Sequence, residues 1–289
     1  MFSKKRFWEV FATCLAAGVC LGVCGCGEAA QRPPSIGICT YNIHHGSGLD
    51  NKTDLSRIAE VIRQLDVQVV GLQEVDYFNA RNPIDQSACI AAYLGPTWQA
   101  RFYPSIAWNG GQYGNAVLYD SSVLTLIEDT HLPLPGAEAR SAGLVRLEHE
   151  NGFCFQFIIT HLTHRRDEEQ LRCESIEAIE AARCESIPAI LAGDLNATAE
   201  APSIQRLTAL GWRILNPLDQ ATYPADRPTQ TIDYIAVLAE DEIFNVQDVA
   251  VVHNELTHSA SDHLPVAARV VVKGGTLNSL SCPCTVGNR

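Results

Sequence analysis

From Ile36 to Val272 the chain is built of short runs rich in Val, Ile and Leu, seven of which begin or end on a single polar side chain. Asn42 closes ICTY, Glu74 closes VVGLQ, His161 closes FIIT and Asp194 closes AILAG. Asn115 opens AVLY, Asp233 opens YIAVL and His263 opens LPVAARVVV. Runs of about five to eight such residues are strand-like. Where sheets have antiparallel neighbours, the ends of some strands lie beside the beginnings of others. All seven polar groups are therefore expected along one edge, which confines the chain to folds that bring both sets of ends together.

Amphipathic segments alternate with the strands. Residues 54–65 place Leu55, Ile58, Ala59, Ile62 and Leu65 on one helical face, with Thr53 or Asp54 available as N-cap. Residues 167–183 turn Leu171, Ile176 and Ile179 inward, and 202–210 form a shorter helix. Strands of mixed direction interspersed with helices predict an α/β fold: a four-layer α/β sandwich, two stacked mixed β-sheets flanked by helices. The expected organisation is an export segment over 1–26, a linker over 27–35, one catalytic domain over 36–272 and a flexible C-terminal tail over 273–289.

The first 26 residues carry Lys4, Lys5 and Arg6, then an apolar stretch from Val10 to Cys24 that is short for a membrane span. They read as an export signal, and LGVCGCG resembles a lipobox in which Cys26 would receive lipid. Ordinary cleavage near Ala29 and Ala30 is the alternative, so the expected location is the cell envelope as a lipoprotein, or secretion. Removing 1–26 leaves 18 basic against 32 acidic residues. Such a balance disfavours nucleic acid as partner, because affinity for that polyanion comes from basic side chains displacing counterions. Of the eleven cysteines, Cys39 and Cys154 sit in apolar runs as expected of small buried thiols, Cys173 and Cys184 on a helix, and the CPC at 282–284 in the tail. None has zinc-site spacing.

The polar ends carry the chemistry. Glu74 in LQEV offers a carboxylate to a hard cation, for which Mg²⁺ (or Mn²⁺ or another divalent ion) is the expected cofactor, with Asn42 offering an amide oxygen. In GDLN, Gly193 is expected to let the backbone turn so that Asp194 and Asn196 point to one side, where a carboxylate can orient or deprotonate water. SDHLPV supplies Asp262 and His263, and Asp233 in TIDYI is the expected partner that keeps the imidazole cationic near a phosphate. His161 in THLTH and Asn115 in YGNAVL, with Tyr113 beside it, are candidate phosphate contacts. His164 reads as peripheral and His44–His45 as a rim or a solvated loop. Arg140, Arg165 and Arg166 are the local basic residues.

The order TYNIHHG, LQEVD, GGQYGNAVL, THLTHRRDEEQ, GDLN, TYPADRPTQTIDYI, SDHLPV resembles the endonuclease/exonuclease/phosphatase superfamily, in its bacterial metal-dependent hydrolase branch. The resemblance implies the four-layered sandwich and divalent-metal hydrolysis of phosphoesters. It implies Glu74, Asn42 and Asp262 at the metal, Asp194 and Asn196 at the attacking water, and His263–Asp233, His161 and Asn115 at the phosphate; Tyr113 and Arg140 are candidates for holding substrate. The expected substrate is a phosphodiester such as a lipid headgroup. A nuclease, a small-molecule phosphomonoesterase and a non-catalytic binding module on the same fold are the alternatives, and no protein partner is inferable.

Overall fold

The computed structural model describes residues 34–238 and 243–273. The expected export signal, Cys26, the CPC and nearly all of the expected tail lie outside the described residues. Among the described residues no helix is long and apolar enough to cross a membrane.

Two six-stranded sheets form the framework. The first runs in the order β11 (Phe244–Val251), β12 (Val266–Val272), β1 (Ser35–Asn42), β2 (Val69–Tyr77), β4 (Gly111–Asp120), β3 (Trp98–Trp108). The second runs β5 (Leu124–Leu134), β6 (Arg140–His149), β7 (Cys154–His161), β8 (Ala189–Asp194), β10 (Asp233–Leu238), β9 (Arg213–Ile214). Both are mixed: β1–β2 and β7–β8 are parallel, and their other neighbours antiparallel.

Period-two burial explains why the sheets stack. On β1, Ile36 and Ile38 face the second sheet while Cys39 and Tyr41 face helices, and on β8 Ile190 and Ala192 face inward while Leu191 faces out. The inward sets make one core between the sheets, with Phe155, Phe157 and Ile159 of β7 at its centre. On the outer face of the first sheet, α1 (Leu55–Gln64) and α2 (Gln86–Leu94) bury Ile58, Ile62 and Ile90. On the other outer face, α3 (Glu169–Ala182) and α4 (Pro202–Ala209) bury Ile176, Ile179, Ile204 and Leu207. A fifth short helix, α5 (Glu255–Ala260), begins on a capping box of Asn254 and Thr257. The four expected layers are present. Asp54 is the N-cap of α1, accepting from the Arg57 backbone N–H at 3.0 Å.

Three local expectations are corrected. Leu171 is only half-buried on α3, and Arg172 takes the inward place because its guanidinium finds Glu169 and the carbonyls of Thr163 and Arg165. Cys154 is disulfide-bonded rather than a free thiol. Gly193 does not turn the chain: it lies within β8, and a Cβ there would stand 2.5 Å from the Thr160 carbonyl oxygen on β7. Its missing side chain permits close strand approach.

Candidate active site

The alternation that builds the inner core also aims the polar strand ends. Asn42 has the parity of Ile36 and Ile38, His161 that of Phe157 and Ile159, Asp194 that of Ile190 and Ala192, and Asp233 that of Ile235 and Val237. All four therefore point between the sheets at the edge where β1, β7 and β8 end and β10 begins. Glu74 breaks the rule. Counting from Leu72, which faces α1 and α2, it should point outward with Leu72. A β-bulge between Leu72 and Val75, with Glu74 itself at φ 60°, turns it into the site.

Asp194 is the hub. Its Oδ2 accepts from the Asn42 amide at 3.0 Å and lies 3.4 Å from His161 Nε2 and 3.8 Å from His263 Nε2; its Oδ1 accepts the Asn196 backbone N–H at 2.9 Å. Asn42 also donates to Glu74 Oε1 at 3.1 Å, while its own oxygen accepts the His44 backbone N–H at 3.1 Å. That commitment sets the amide's orientation, so Asn42 bridges two carboxylates with its nitrogen while its oxygen is held by the His44 backbone. Asn196, at φ 49°, is in a turn closed by Asp194 rather than in extended chain, and its amide donates to the Leu162 carbonyl at 3.0 Å.

The two buried histidines of the site carry different charge states. His263 Nδ1 meets Asp233 Oδ2 at 2.9 Å. Burial pulls its imidazole down, but Asp233, with Asp194 and Asp262 adding to it, overrides that and pushes it up to about 10. His161 lies 3.4 Å from Asp194 Oδ2, yet burial first, then the positive fields of Arg140 and of His263 and His164, holds it well below the usual histidine range. At neutral pH His263 is a cation and His161 a neutral imidazole. Burial, reinforced by Asp233, pushes the Asp194 carboxyl up to about 7.

Asp194, His161, His263, Asn196, Glu74, Asp262, Tyr113 and Arg140 line one cavity of about 500 Å³. Asn42, Asn115 and Asp233 stand behind its wall, fully buried. Asn115 donates to the Ser141 carbonyl at 2.9 Å and to the Ser141 hydroxyl at 3.4 Å, which leaves only its oxygen free of a partner; that atom is an acceptor and does not donate to a phosphate. His164, expected as peripheral, is on the cavity wall, where its Nδ1 accepts from Arg140 at 2.9 Å. His44 and His45 are half-buried beside Glu74 rather than solvated, both at positive φ. Glu138, Tyr223 and Gln230 also line the cavity and were missed. Tyr223 stacks at a tilt on His263, ring centroids 4.7 Å apart. Its aromatic ring in a polar loop just ahead of Asp233 was the available signal; Glu138 and Gln230 have none.

The donor set suits a hard cation. Glu74, Asp262 and Asp194 all face the cavity and offer carboxylate oxygen; of the arginines around it, Arg140 is paired with Glu138 at 3.0 Å and Arg81 with Asp76 at 2.8 Å, while Arg166 stands exposed on the wall. Among the described residues, Glu74 lies with His44 and His45 in one of two groups whose ligand atoms are mutually close, Asp194, Asp233 and His263 forming the other.

The model of the Endonuclease/Exonuclease/phosphatase family matches residues 39–266, and this chain belongs to that family. No curated protein matches the sequence. Among solved structures, a family member from Bacteroides thetaiotaomicron superposes with a TM-score of 0.69 at 19% identity, covering 84% of this chain and 99% of its own. The human Nocturnin catalytic domain with bound sulfate gives 0.66 at 22% identity, covering 83% and 96%. The mannosyl-6-phosphatase Bt3783 of Bacteroides thetaiotaomicron VPI-5482 gives 0.64 at 19%, covering 82% and 99%. Its family makes this chain a hydrolase of phosphoester bonds.

Proposed function

We propose that the chain is an exported, divalent-metal-dependent phosphoesterase that hydrolyses a single phosphoester on the floor of this cavity. The carrying observation is the position of Asp194: a buried carboxylate within 4 Å of a neutral imidazole and a cationic one, and joined through Asn42 to Glu74. Asp194 accepts a proton from water, whose oxygen bonds phosphorus as the P–O ester bond opposite breaks. His263, held in one tautomer by Asp233, donates through Nε2 to a phosphoryl oxygen as charge gathers there, and Arg140 and neutral His161 hold the others. The departing alkoxide leaves with a proton from solvent. Glu74 and Asp262 would hold the ion, which supplies charge withdrawal from the phosphoryl group.

A lipid headgroup diester or a small phosphomonoester suits this cavity better than nucleic acid, whose backbone needs a track of unpaired cations that 18 basic against 32 acidic residues do not favour. Phosphate release from a panel of esters, with and without chelator, tests the reading; no release from any ester would overturn it. Glu74→Ala is expected to raise the Mg²⁺ concentration for half-maximal activity by about tenfold or more, since losing even an indirect support of a metal costs about 10–100-fold in affinity. An unchanged titration would remove Glu74 from the ion.

Export is part of the same proposal and rests on the charged, then apolar, first 26 residues and on LGVCGCG. Mass spectrometry of the mature N-terminus is expected to find a lipid on Cys26; a free N-terminus near Ala29 would show ordinary signal cleavage instead.

A further inference from the structure

A second cavity of about 230 Å³ shares Glu74, Tyr113 and Glu138 with the catalytic one, and its other walls are different in kind: Trp108, Ile106, Arg81 and His45. We propose that this adjoining cavity holds the alcohol part of the ester, and that the group it takes is an uncharged, hydroxylated ring such as that of a hexose monophosphate. This rests on the phosphoesterase reading and deepens it. Their common walls set the two spaces side by side, so a group seated here would adjoin a phosphate on the catalytic floor. The volume falls below the ~300–1,000 Å³ of pockets that take drug-sized ligands, so one small ring is the scale.

Charge narrows the choice. The Arg81 guanidinium is locked on Asp76 by two bonds of 2.8 Å, and Glu138 is paired with Arg140. With a divalent ion on Glu74, as proposed above, each carboxylate and guanidinium of this wall has a partner of opposite sign, so neither a second phosphate nor a cationic headgroup finds an unpaired charge to hold it. What remains is a neutral group with hydrogen-bonding edges and an apolar face. Trp108, 40% exposed, supplies a flat apolar surface with Ile106 beside it, while Glu138 and His45 supply polar partners for hydroxyls.

Trp108 is also held in place, as a binding surface must be. It ends β3, and the two-residue Asn109–Gly110 turn, φ 43° and 82°, returns the chain as β4 with Trp108 opposite Gly111. The turn docks on the loop after β2: Ala80 donates to the Asn109 carbonyl at 2.9 Å, and the Asn79 amide to the Gln112 carbonyl at 3.2 Å. A Cβ on Gly111 would lie 2.2 Å from the Phe78 carbonyl oxygen, so the hairpin tip sits on that loop backbone to backbone.

The test is steady-state kinetics of the full chain with Mg²⁺ on glucose 6-phosphate, glycerol 3-phosphate and AMP, for wild type, W108A and W108F. Trp108→Ala is expected to raise KM for glucose 6-phosphate about tenfold with kcat within about twofold, to leave glycerol 3-phosphate unchanged, and to be largely rescued by Trp108→Phe. Phosphatidylinositol in mixed micelles, turned over with the same Trp108 dependence, would place the ring on a lipid; glucose 6-phosphate turned over alone would place it on a free sugar. Equal KM values for wild type and W108A on every ester, or a Trp108 dependence confined to AMP, would overturn the proposal. Quenching of tryptophan fluorescence by glucose 6-phosphate under chelator, present in wild type and lost in W108A, reads the subsite without turnover. If wild type hydrolysed no ester, the phosphoesterase reading would fall, and that binding signal would still decide for or against the ring.

Discussion

Asp194→Asn is expected to lower kcat by about 10²–10⁴-fold, the contribution of a positioned general base, with KM little changed. The side chain keeps its shape, so the loss reports the carboxylate rather than packing. Stability is expected to move the other way with pH. Burial and Asp233 raise the Asp194 carboxyl to about 7, above the ordinary ~3.9 of an unfolded aspartate. Across that window the folded state holds a proton that the unfolded state has lost, so the metal-free wild type loses stability as pH rises from about 4 to 7. Asp194→Asn removes that slope. Denaturant midpoints at several pH values under chelator check it, and turnover checks the first part; near-normal kcat in the purified variant would dismiss Asp194 as the base.

Asp233→Asn is expected to lower kcat by about 10²–10³-fold, the size of losing one preorganised charge-stabilising group, and to shift both limbs of the pH profile of kcat/KM downward. Asp233 is the chief group that holds the His263 imidazole up at about 10, and it also raises Asp194. Without it, the alkaline limb should fall toward the ~6.5 of an ordinary imidazole. In the wild type the imidazolium contributes stability that is complete below about 6.5 and lost as pH rises through about 10. The variant should lack that decline. Divalent cation beside Asp194 lowers the acid limb in both proteins, so the two profiles must be compared at one metal concentration. An alkaline limb that stays put in Asp233→Asn would mean that another group controls it.

Part of this site is legible in the sequence, residue by residue. Strand alternation is a local property, so the inward direction of Asn42, His161, Asp194, Asn115 and Asp233 follows from counting back to their buried neighbours. Which atom of each side chain is free does not follow. Asn42 and Asn115 both spend hydrogen bonds on groups far away or in loops, Asp194 and Ser141 among them, and those bonds decide that Asn42 bridges and that Asn115 does not donate to phosphate. Arg140 and His164 meet across two strand ends, which a motif scan cannot foresee.

The sequence by itself determined the layers, the strand-terminal places of Asn42, His161, Asp194 and Asp233, and the family. All of these rest on periodicity and short motifs that neighbouring residues encode. Glu74 and Asn115 instead lie inside their strands and His263 just ahead of β12. Tertiary structure decided the rest: Glu74, outward by parity, is turned inward by a bulge that only the pairing of β2 with β4 creates. It also decided that His263 is charged and His161 neutral: burial disfavours the charged form of both rings, and at His263 the Asp233 carboxylate overrides it, while at His161 burial prevails and the positive field of Arg140 adds to it.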